Sequence, residues 1–172
     1  MRFIATFIVA ALTTFTAATS AADDQARQQP AIAKVYFDFD SSELRPAAAA
    51  KLEEAARRAR AAPDARLVLR GHADPRGASP YNVALSARRA EAVRDQLLEL
   101  GVARDRIVLG IYGEDGADSD SYARERRVGV VLVREPLYEI IERALPEATA
   151  VIWDRPVAAA ALVAPSTPVA SR

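Results

Sequence analysis

Two residues of opposite charge, Asp74 and Arg89, carry the clearest chemistry in the sequence. Asp74 stands directly after an apolar run, and Arg89 lies further along in a stretch of helical character. A carboxylate accepts hydrogen bonds from an ammonium group, and a planar guanidinium donates two parallel hydrogen bonds to a carboxylate. A ligand that bears both charges, such as the end of an amino acid, satisfies both side chains. The pair therefore predicts a binding site for a zwitterion.

Each side chain also has a purely structural interpretation. Asp74 could cap a turn before Pro75. Arg89 could form a surface ion pair with Glu91, a contact that contributes little to stability. Taken singly, the two residues favour these interpretations.

The other candidates for chemistry are weaker. His72 is the single histidine and cysteine is absent, so a metal site would lack converging ligands, and we predict a hydrogen-bonded structural histidine. The arginines of the segment 57–60 follow Glu53 and Glu54 by about one turn, which is the ordinary pattern of a solvated helix face. We therefore expect no metal, no cofactor and no nucleic-acid partner.

Composition limits the class of protein. The 23 basic and 23 acidic side chains balance, which does not favour a polyanion as partner. Because the sequence has no cysteine, we expect no disulfide, no thiolate metal site and no lipidated cysteine.

Alternating strand and helix patterns position the two charges. The predicted strands lie at 34–39, 66–70, 106–112 and 128–133. A first helix, capped by Ser42, should bury a stripe formed by Ala48, Leu52, Ala55 and Ala59. A second helix from Tyr81 to Gly101 should bury Ala90, Val93, Leu97 and Leu100. The continuous apolar run from Val128 to Val133 predicts a central or well-covered strand.

This order predicts an α+β fold, a two-layer sandwich of βαβαββ order with two helices on one face of a mixed four-stranded sheet. Crossovers between parallel strands are right-handed, so the loops after the first and second strands should open at the same edge. The segment around Asp40 and the segment around Asp74 are therefore expected to meet.

The ends of the chain predict a targeting segment and an extension. Residues 1–22 combine a basic start, an apolar stretch and small residues, which is typical of a cleaved secretory signal, and 23–33 form a polar linker. The apolar stretch is shorter than a spanning helix needs, so we expect no integral membrane segment after cleavage. Following a domain at 34–134, residues 135–172 should form a short helix at 136–145 and then a disordered tail.

Residues 34–134 resemble an OmpA-like peptidoglycan-binding domain, most closely the peptidoglycan-associated lipoprotein branch. The segments that match in order and spacing are Val35–Leu44, Gly71–Asp74, Arg76–Gly77, Tyr81–Asn82, Leu85–Ser86 and Arg88–Ala90. Several matching segments over about 100 residues are far more specific than a single short motif. The resemblance reverses the preference for a structural interpretation of Asp74 and Arg89.

The resemblance implies binding of the free end of a diaminopimelate residue in the peptide stem of the cell wall. By position, Asp74 would accept hydrogen bonds from the ligand ammonium and Arg89 would bind its carboxylate. Further groove residues implied by the resemblance are Asn82, Phe39, Asp40, Leu44 and, as a candidate contact, Arg76.

Two features depart from the family pattern. Glu125 stands where the family has asparagine, and a negative charge at the groove could weaken carboxylate binding or pair with Arg126. The lipid-anchoring cysteine of the lipoprotein branch is absent, which bears on an outer-membrane tether and not on the wall-binding site.

We predict a non-catalytic periplasmic protein, associated with the outer membrane and cell wall, that anchors or scaffolds the envelope and contacts a protein partner through residues 136–172. Two alternatives stay open. A wall hydrolase would use Asp74 as a base, although the sequence pairs no nucleophile with a base. An interaction protein with a degenerate groove would instead dock through Trp153 and the tail.

Overall fold

Five strands form one mixed sheet in the computed structural model, which describes residues 30–115, 121–145 and 147–153. The strands are β1 (Ala33–Tyr36), β2 (Arg66–His72), β3 (Ile107–Gly113), β4 (Arg127–Val133) and β5 (Ala150–Trp153). Their order across the sheet is β1-β4-β2-β3-β5, with β2 and β3 parallel and the other neighbours antiparallel. The α+β class and the mixed sheet are confirmed.

The prediction of four strands is wrong by one strand. β5 pairs with β3, with Val108 opposite Trp153 and Ile111 opposite Ala150. A four-residue apolar segment that follows an irregular connection carries too little local pattern to distinguish a strand from a loop. Its pairing depends on the edge that β3 offers, which is a long-range property.

Two long helices cover one face of the sheet. They are α1 (Ala49–Ala61), which follows a 3₁₀ turn at Pro46–Ala48, and α2 (Ser79–Glu99). The predicted stripes are buried, except that Leu100 is only half-buried. Ser42 does not cap α1, because the proline at position 46 starts the helical stretch later. Residues 38–45 are thereby left as a loop at the end of β1.

The C-terminal extension covers the opposite face. A turn of helix, α4 (Leu137–Glu139), continues as a wider turn at Ile140–Ala144. Ile140 and Leu145 are buried in a second apolar cluster with Val68, Val108, Tyr112, Val131 and Val133. Cover on both faces accounts for the continuous apolar run of β4, which lies between β1 and β2.

The predicted signal segment, most of the linker and the predicted tail lie outside the described residues. Among the residues that are described, no helix is both long and apolar enough to cross a membrane. A single helical turn, α3 (Tyr122–Glu125), stands directly before β4.

Close packing of α2 on β2 depends on a glycine. A Cβ atom at Gly71 would lie 2.5 Å from the carbonyl oxygen of Ser86 and 3.3 Å from the Cβ of Ala90. At Gly129, on the neighbouring strand, the nearest atoms would be 3.9 Å and 4.0 Å away, at ordinary contact distance.

We expect Gly71→Ala to lower the free energy of unfolding by about 1 to 3 kcal/mol, because the backbone of α2 must move away from the sheet. Gly129→Ala is the matched control; because the added methyl group fits, the free energy of unfolding should stay unchanged or rise by up to about 1 kcal/mol. Urea denaturation of both variants measures the difference, and equal stability of the two would contradict the packing described for α2.

A second pair of variants tests whether the extension belongs to the folded domain. Ile140 is fully buried and the adjacent Ile141 is 41% exposed. Ile140→Ala should cost about 2 to 5 kcal/mol of stability, whereas Ile141→Ala should cost about 0.5 kcal/mol. Thermal and urea unfolding measure the two losses of stability. Equal losses in the two variants would show that residues 137–145 do not pack on the sheet.

Candidate functional site

A cleft of about 180 Å³ opens where β1 and β2 end and α2 begins. It is lined by Phe39, Asp40, Asp74, Arg76, Gly77, Tyr81, Asn82 and Leu85. β1 and β2 run in the same direction because both are antiparallel to β4. Their following loops therefore meet at one edge of the sheet, as the sequence predicts, and five of the seven predicted site residues line the cleft.

Asp74 places a nearly buried carboxylate in this cleft. The residue is 4% exposed. Its Oδ1 accepts hydrogen bonds from Arg76 Nε at 2.9 Å and from the Arg76 backbone N–H at 3.2 Å, and its Oδ2 accepts from Arg76 Nη2 at 2.9 Å. Arg126 Nη1 lies 3.4 Å from Oδ2. Hydrogen bonding by the Arg76 side chain lowers the pKa of Asp74 below its ordinary value of 3.8, against the opposing effect of burial.

Arg76 lies between two aromatic rings. Its guanidinium carbon is 4.4 Å from the ring centre of Phe39 and 4.7 Å from that of Tyr122. Phe39 is 63% exposed and Tyr122 is 50% exposed, so this stack lies at the rim of the cleft. A guanidinium over aromatic faces gains cation–π attraction in addition to its ion pair.

Arg89 is not on the surface of the cleft. It is fully buried, and its guanidinium donates to three backbone carbonyls: Nε to Ser41 at 2.8 Å, Nη1 to His72 at 3.1 Å and Nη2 to Asp38 at 3.1 Å. Burial, followed by repulsion from Arg126, lowers the pKa of Arg89 to about 10, so the side chain is cationic at neutral pH. Arg89 thus ties the loop after β1 to the end of β2.

Asn82 and Tyr81 bring polar groups of α2 to the cleft. Asn82 is 1% exposed; among the described residues its Nδ2 makes no well-formed hydrogen bond, although its side chain is close enough to Glu114 to help lower the pKa of that carboxyl group. The Tyr81 hydroxyl donates to the carboxylate of Asp40. Asp40 has a φ of 55°, a left-handed conformation that aspartate tolerates better than most residues. The arrangement brings the Asp74 carboxylate and the Asn82 side chain into one cleft.

Leu44 is not part of the cleft lining; it is partly buried against the core beneath the helices.

Sequence reasoning did not single out Arg126 as a site residue, although its Nε donates to the carbonyl of Phe37 and its Nη1 contacts Asp74. The signal was available: β4 is antiparallel to β1 and β2, so the residue before β4 must lie at the edge where those strands end.

Glu125 does not border the cleft, although its position in the sequence suggested that it could. The residue is 1% exposed, and its carboxylate pairs with Arg127, not with Arg126. It is absent from the residues that line the cleft. Its negative charge is therefore compensated within α3 and the start of β4.

His72 contributes to the site through its backbone. Its carbonyl accepts from Arg89, while its ring stacks on Tyr112 with ring centres 4.7 Å apart. The Nδ1 atom lies 3.3 Å from the carbonyl oxygen of Asp115. These contacts fit the structural role that the sequence predicts for this histidine.

Known proteins resemble the chain over the region that builds the cleft. The model of the OmpA family matches residues 36–128. The peptidoglycan-associated lipoprotein of Pseudomonas aeruginosa is 41% identical over 103 residues, which cover 57% of this chain and 61% of that protein. The same lipoprotein of Rhizobium meliloti is 36% identical over 104 residues, covering 58% and 59%. The chain thus spans about three fifths of the length of these curated relatives.

Solved structures show the same fold. The crystal structure of the peptidoglycan-associated lipoprotein from Burkholderia pseudomallei aligns with a TM-score of 0.51 at 36% identity, over 58% of this chain and 88% of that chain. The C-terminal domain of Helicobacter pylori MotB aligns with a TM-score of 0.55 at 19% identity, over 64% and 91%, and supports the fold alone. Since the family model covers more than half of the sequence and the cleft lies within it, the chain belongs to the OmpA family.

Proposed function

We propose that this protein binds peptidoglycan without catalysis, by holding the free end of a diaminopimelate residue of a stem peptide in the cleft. Membership of the OmpA family and the likeness to peptidoglycan-associated lipoproteins support the wall as ligand. The observation that carries the proposal is the nearly buried Asp74 carboxylate, which shares one cleft with the buried Asn82 side chain, whose Nδ2 makes no well-formed hydrogen bond.

Asp74 receives the ammonium group of the ligand in this proposal. The ammonium donates charge-assisted hydrogen bonds, which are stronger in a site screened from water than on an open surface. Asn82 donates to the ligand carboxylate. The aliphatic part of the ligand lies against Phe39 and Leu85, which line the same cleft.

Arg89 supports the carboxylate from beneath. A guanidinium has five N–H donors, and the three carbonyl contacts leave two of them for other acceptors. Its buried charge also attracts the carboxylate without direct contact. Because Arg89 holds three backbone segments, its removal should affect folding as well as binding.

A hydrolytic role has less support. Ser86, the hydroxyl closest in sequence to the site arginine, donates to the Val83 carbonyl and accepts from the Gly113 N–H. That hydroxyl is engaged in joining α2 to β3 and is not paired with a base. Asp74 itself is bound by two arginines, which lower its proton affinity and make it a poor general base.

We further propose that the protein acts in the periplasm as an anchor or scaffold of the cell envelope and contacts a protein partner through residues 136–172. The envelope location follows from the ligand. An interaction protein with a degenerate groove stays the alternative, and retention by purified sacculi distinguishes the two, since only a wall-binding protein sediments with them.

Asp74→Asn tests the ammonium contact. The variant keeps the shape of the side chain and loses its charge, so we expect binding of meso-diaminopimelate to weaken by about 2 to 5 kcal/mol, or roughly 30-fold or more. Isothermal titration calorimetry measures the affinity, and co-sedimentation with sacculi should fall in parallel.

Asp95→Asn, an exposed position paired with Arg94 on α2, is the control and should bind like the wild type. Circular dichroism confirms that both variants are folded. Unimpaired binding by Asp74→Asn would refute the assignment, and soluble fragments released from sacculi by the wild type would favour the hydrolase.

The pH dependence of binding follows from the lowered pKa of Asp74. A proton competes with the ligand ammonium only as the pH falls through a pKa that lies below 3.8. The affinity for meso-diaminopimelate should therefore stay constant from pH 7 to about pH 5 and weaken below about pH 4. A loss of affinity between pH 7 and pH 5 would mean that Asp74 is not held in its anionic form.

A further inference from the structure

We infer that Arg76 is a tethered cation that occupies the ammonium position on Asp74 when no ligand is bound, and that the ligand must displace it. This inference rests on the proposed function and adds to it a contact that inhibits binding and lowers the affinity of the cleft for every ligand. It differs from our sequence-based expectation that Arg76 contacts the ligand directly.

The geometry of the pair carries the first step. Arg76 bonds both oxygens of Asp74, Nε to Oδ1 and Nη2 to Oδ2, each at 2.9 Å. This is the bidentate arrangement in which a guanidinium saturates one side of a carboxylate. An ammonium group approaching from the cleft meets oxygens that already accept hydrogen bonds from a cation. Both residues line the cleft, so the pair stands where the ligand must enter.

Of the three arginines around Asp74, Arg76 is the one able to leave. Arg89 is fully buried and fixed by three carbonyls. Arg126 is held by the Phe37 carbonyl, and 13% of its side chain is exposed. The Arg76 side chain is 43% exposed. Its guanidinium can therefore regain water when it is displaced, which keeps the cost of its release low.

Two aromatic rings hold Arg76 in the closed position. Phe39 and Tyr122 flank the guanidinium, but only Phe39 also lines the cleft. Tyr122 touches Arg76 without belonging to the lining. It is therefore a positioning residue, and removing its ring should loosen Arg76 without deleting a surface that the ligand uses.

Because a ligand must displace Arg76, its affinity is the intrinsic affinity multiplied by the fraction of protein in which Asp74 is free of Arg76. A ligand with an ammonium alone must meet this cost from one contact, whereas a ligand that also bears a carboxylate gains from Asn82 and Arg89. Because the cost of displacing Arg76 is the same for both, a simple amine is left with weak binding, whereas an amino-acid end has further contacts that offset the cost. The selectivity depends on the carboxylate contacts, while the absolute affinity depends on the strength of the Arg76 pair.

Four variants of the full chain, titrated with free meso-diaminopimelate, test the inference. Tyr122→Ala and Arg76→Gln should bind more tightly than the wild type, on the order of fivefold, because Asp74 is open more often. Tyr138→Ala removes an exposed tyrosine outside the site, and Arg88→Gln removes an exposed cation near Tyr81 at the same rim. Neither control should bind more tightly than the wild type.

Nuclear magnetic resonance gives a second measurement. In the free protein the Arg76 Nε–H group is hydrogen-bonded, and the guanidinium lies between two aromatic rings. Its signal is identified by its loss in Arg76→Gln. Saturation with meso-diaminopimelate should move it to the position of a solvent-exposed arginine. A signal that stays in place while the ligand binds would overturn the inference.

The experiments distinguish a failure of this inference from a failure of the proposed function. If the wild type binds and both Arg76→Gln and Tyr122→Ala bind equally or more weakly, Arg76 is a ligand contact or a bystander, and only this inference is wrong. If neither the wild type nor any variant binds meso-diaminopimelate, the proposed function is wrong and the inference is lost with it.

Discussion

A buried guanidinium connects the segments that form the cleft of this protein. Arg89, on α2, donates to carbonyls of the loop after β1 and of the last residue of β2. β1 and β2 are not neighbours in the sheet, since β4 lies between them. One side chain thus spans the end of an intervening strand. Burying a charge is costly unless it is fully hydrogen-bonded, and three carbonyls supply that compensation.

The three arginines near Asp74 differ in how they are held. Arg89 and Arg126 are bound to backbone carbonyls and form a rigid cationic layer beneath the cleft. Asp74 stands in contact with that layer and is held in its anionic form. Only the outermost cation, Arg76, is substantially exposed. In the proposed binding mode, the ligand ammonium replaces the Arg76 guanidinium on Asp74, while Arg89 and Arg126 keep their contacts with the backbone.

The sequence predicts which segments meet at the cleft, but it does not predict how deeply their side chains are buried. Local spacing places the stripes of α1 and α2, and the strand order brings the loops of Asp40 and Asp74 to one edge. Charge and motif identify Arg89 but not its depth, since a basic side chain on a helix is usually exposed. Its burial follows only from the carbonyls that two distant segments turn toward it, which no local pattern records.

The same limit explains the missed strand and the cover of the second face. Residues 137–153 lack a clear period, so their structure is determined by what they pack against. Ile140 and Leu145 fill the face formed by Val68, Val108 and Val131, and β5 completes the edge beside β3. The apolar run of β4 signals that a cover must exist, but it does not indicate which segment supplies it.

A crystal structure of the protein with meso-diaminopimelate bound tests the central claim most directly. The account predicts the ligand ammonium within hydrogen-bond distance of the Asp74 carboxylate, its carboxylate beside Asn82 and over Arg89, and the Arg76 side chain turned away from Asp74. A ligand seated elsewhere on the molecule, or a cleft that stays empty at saturating ligand with the Arg76 pair intact, would contradict it.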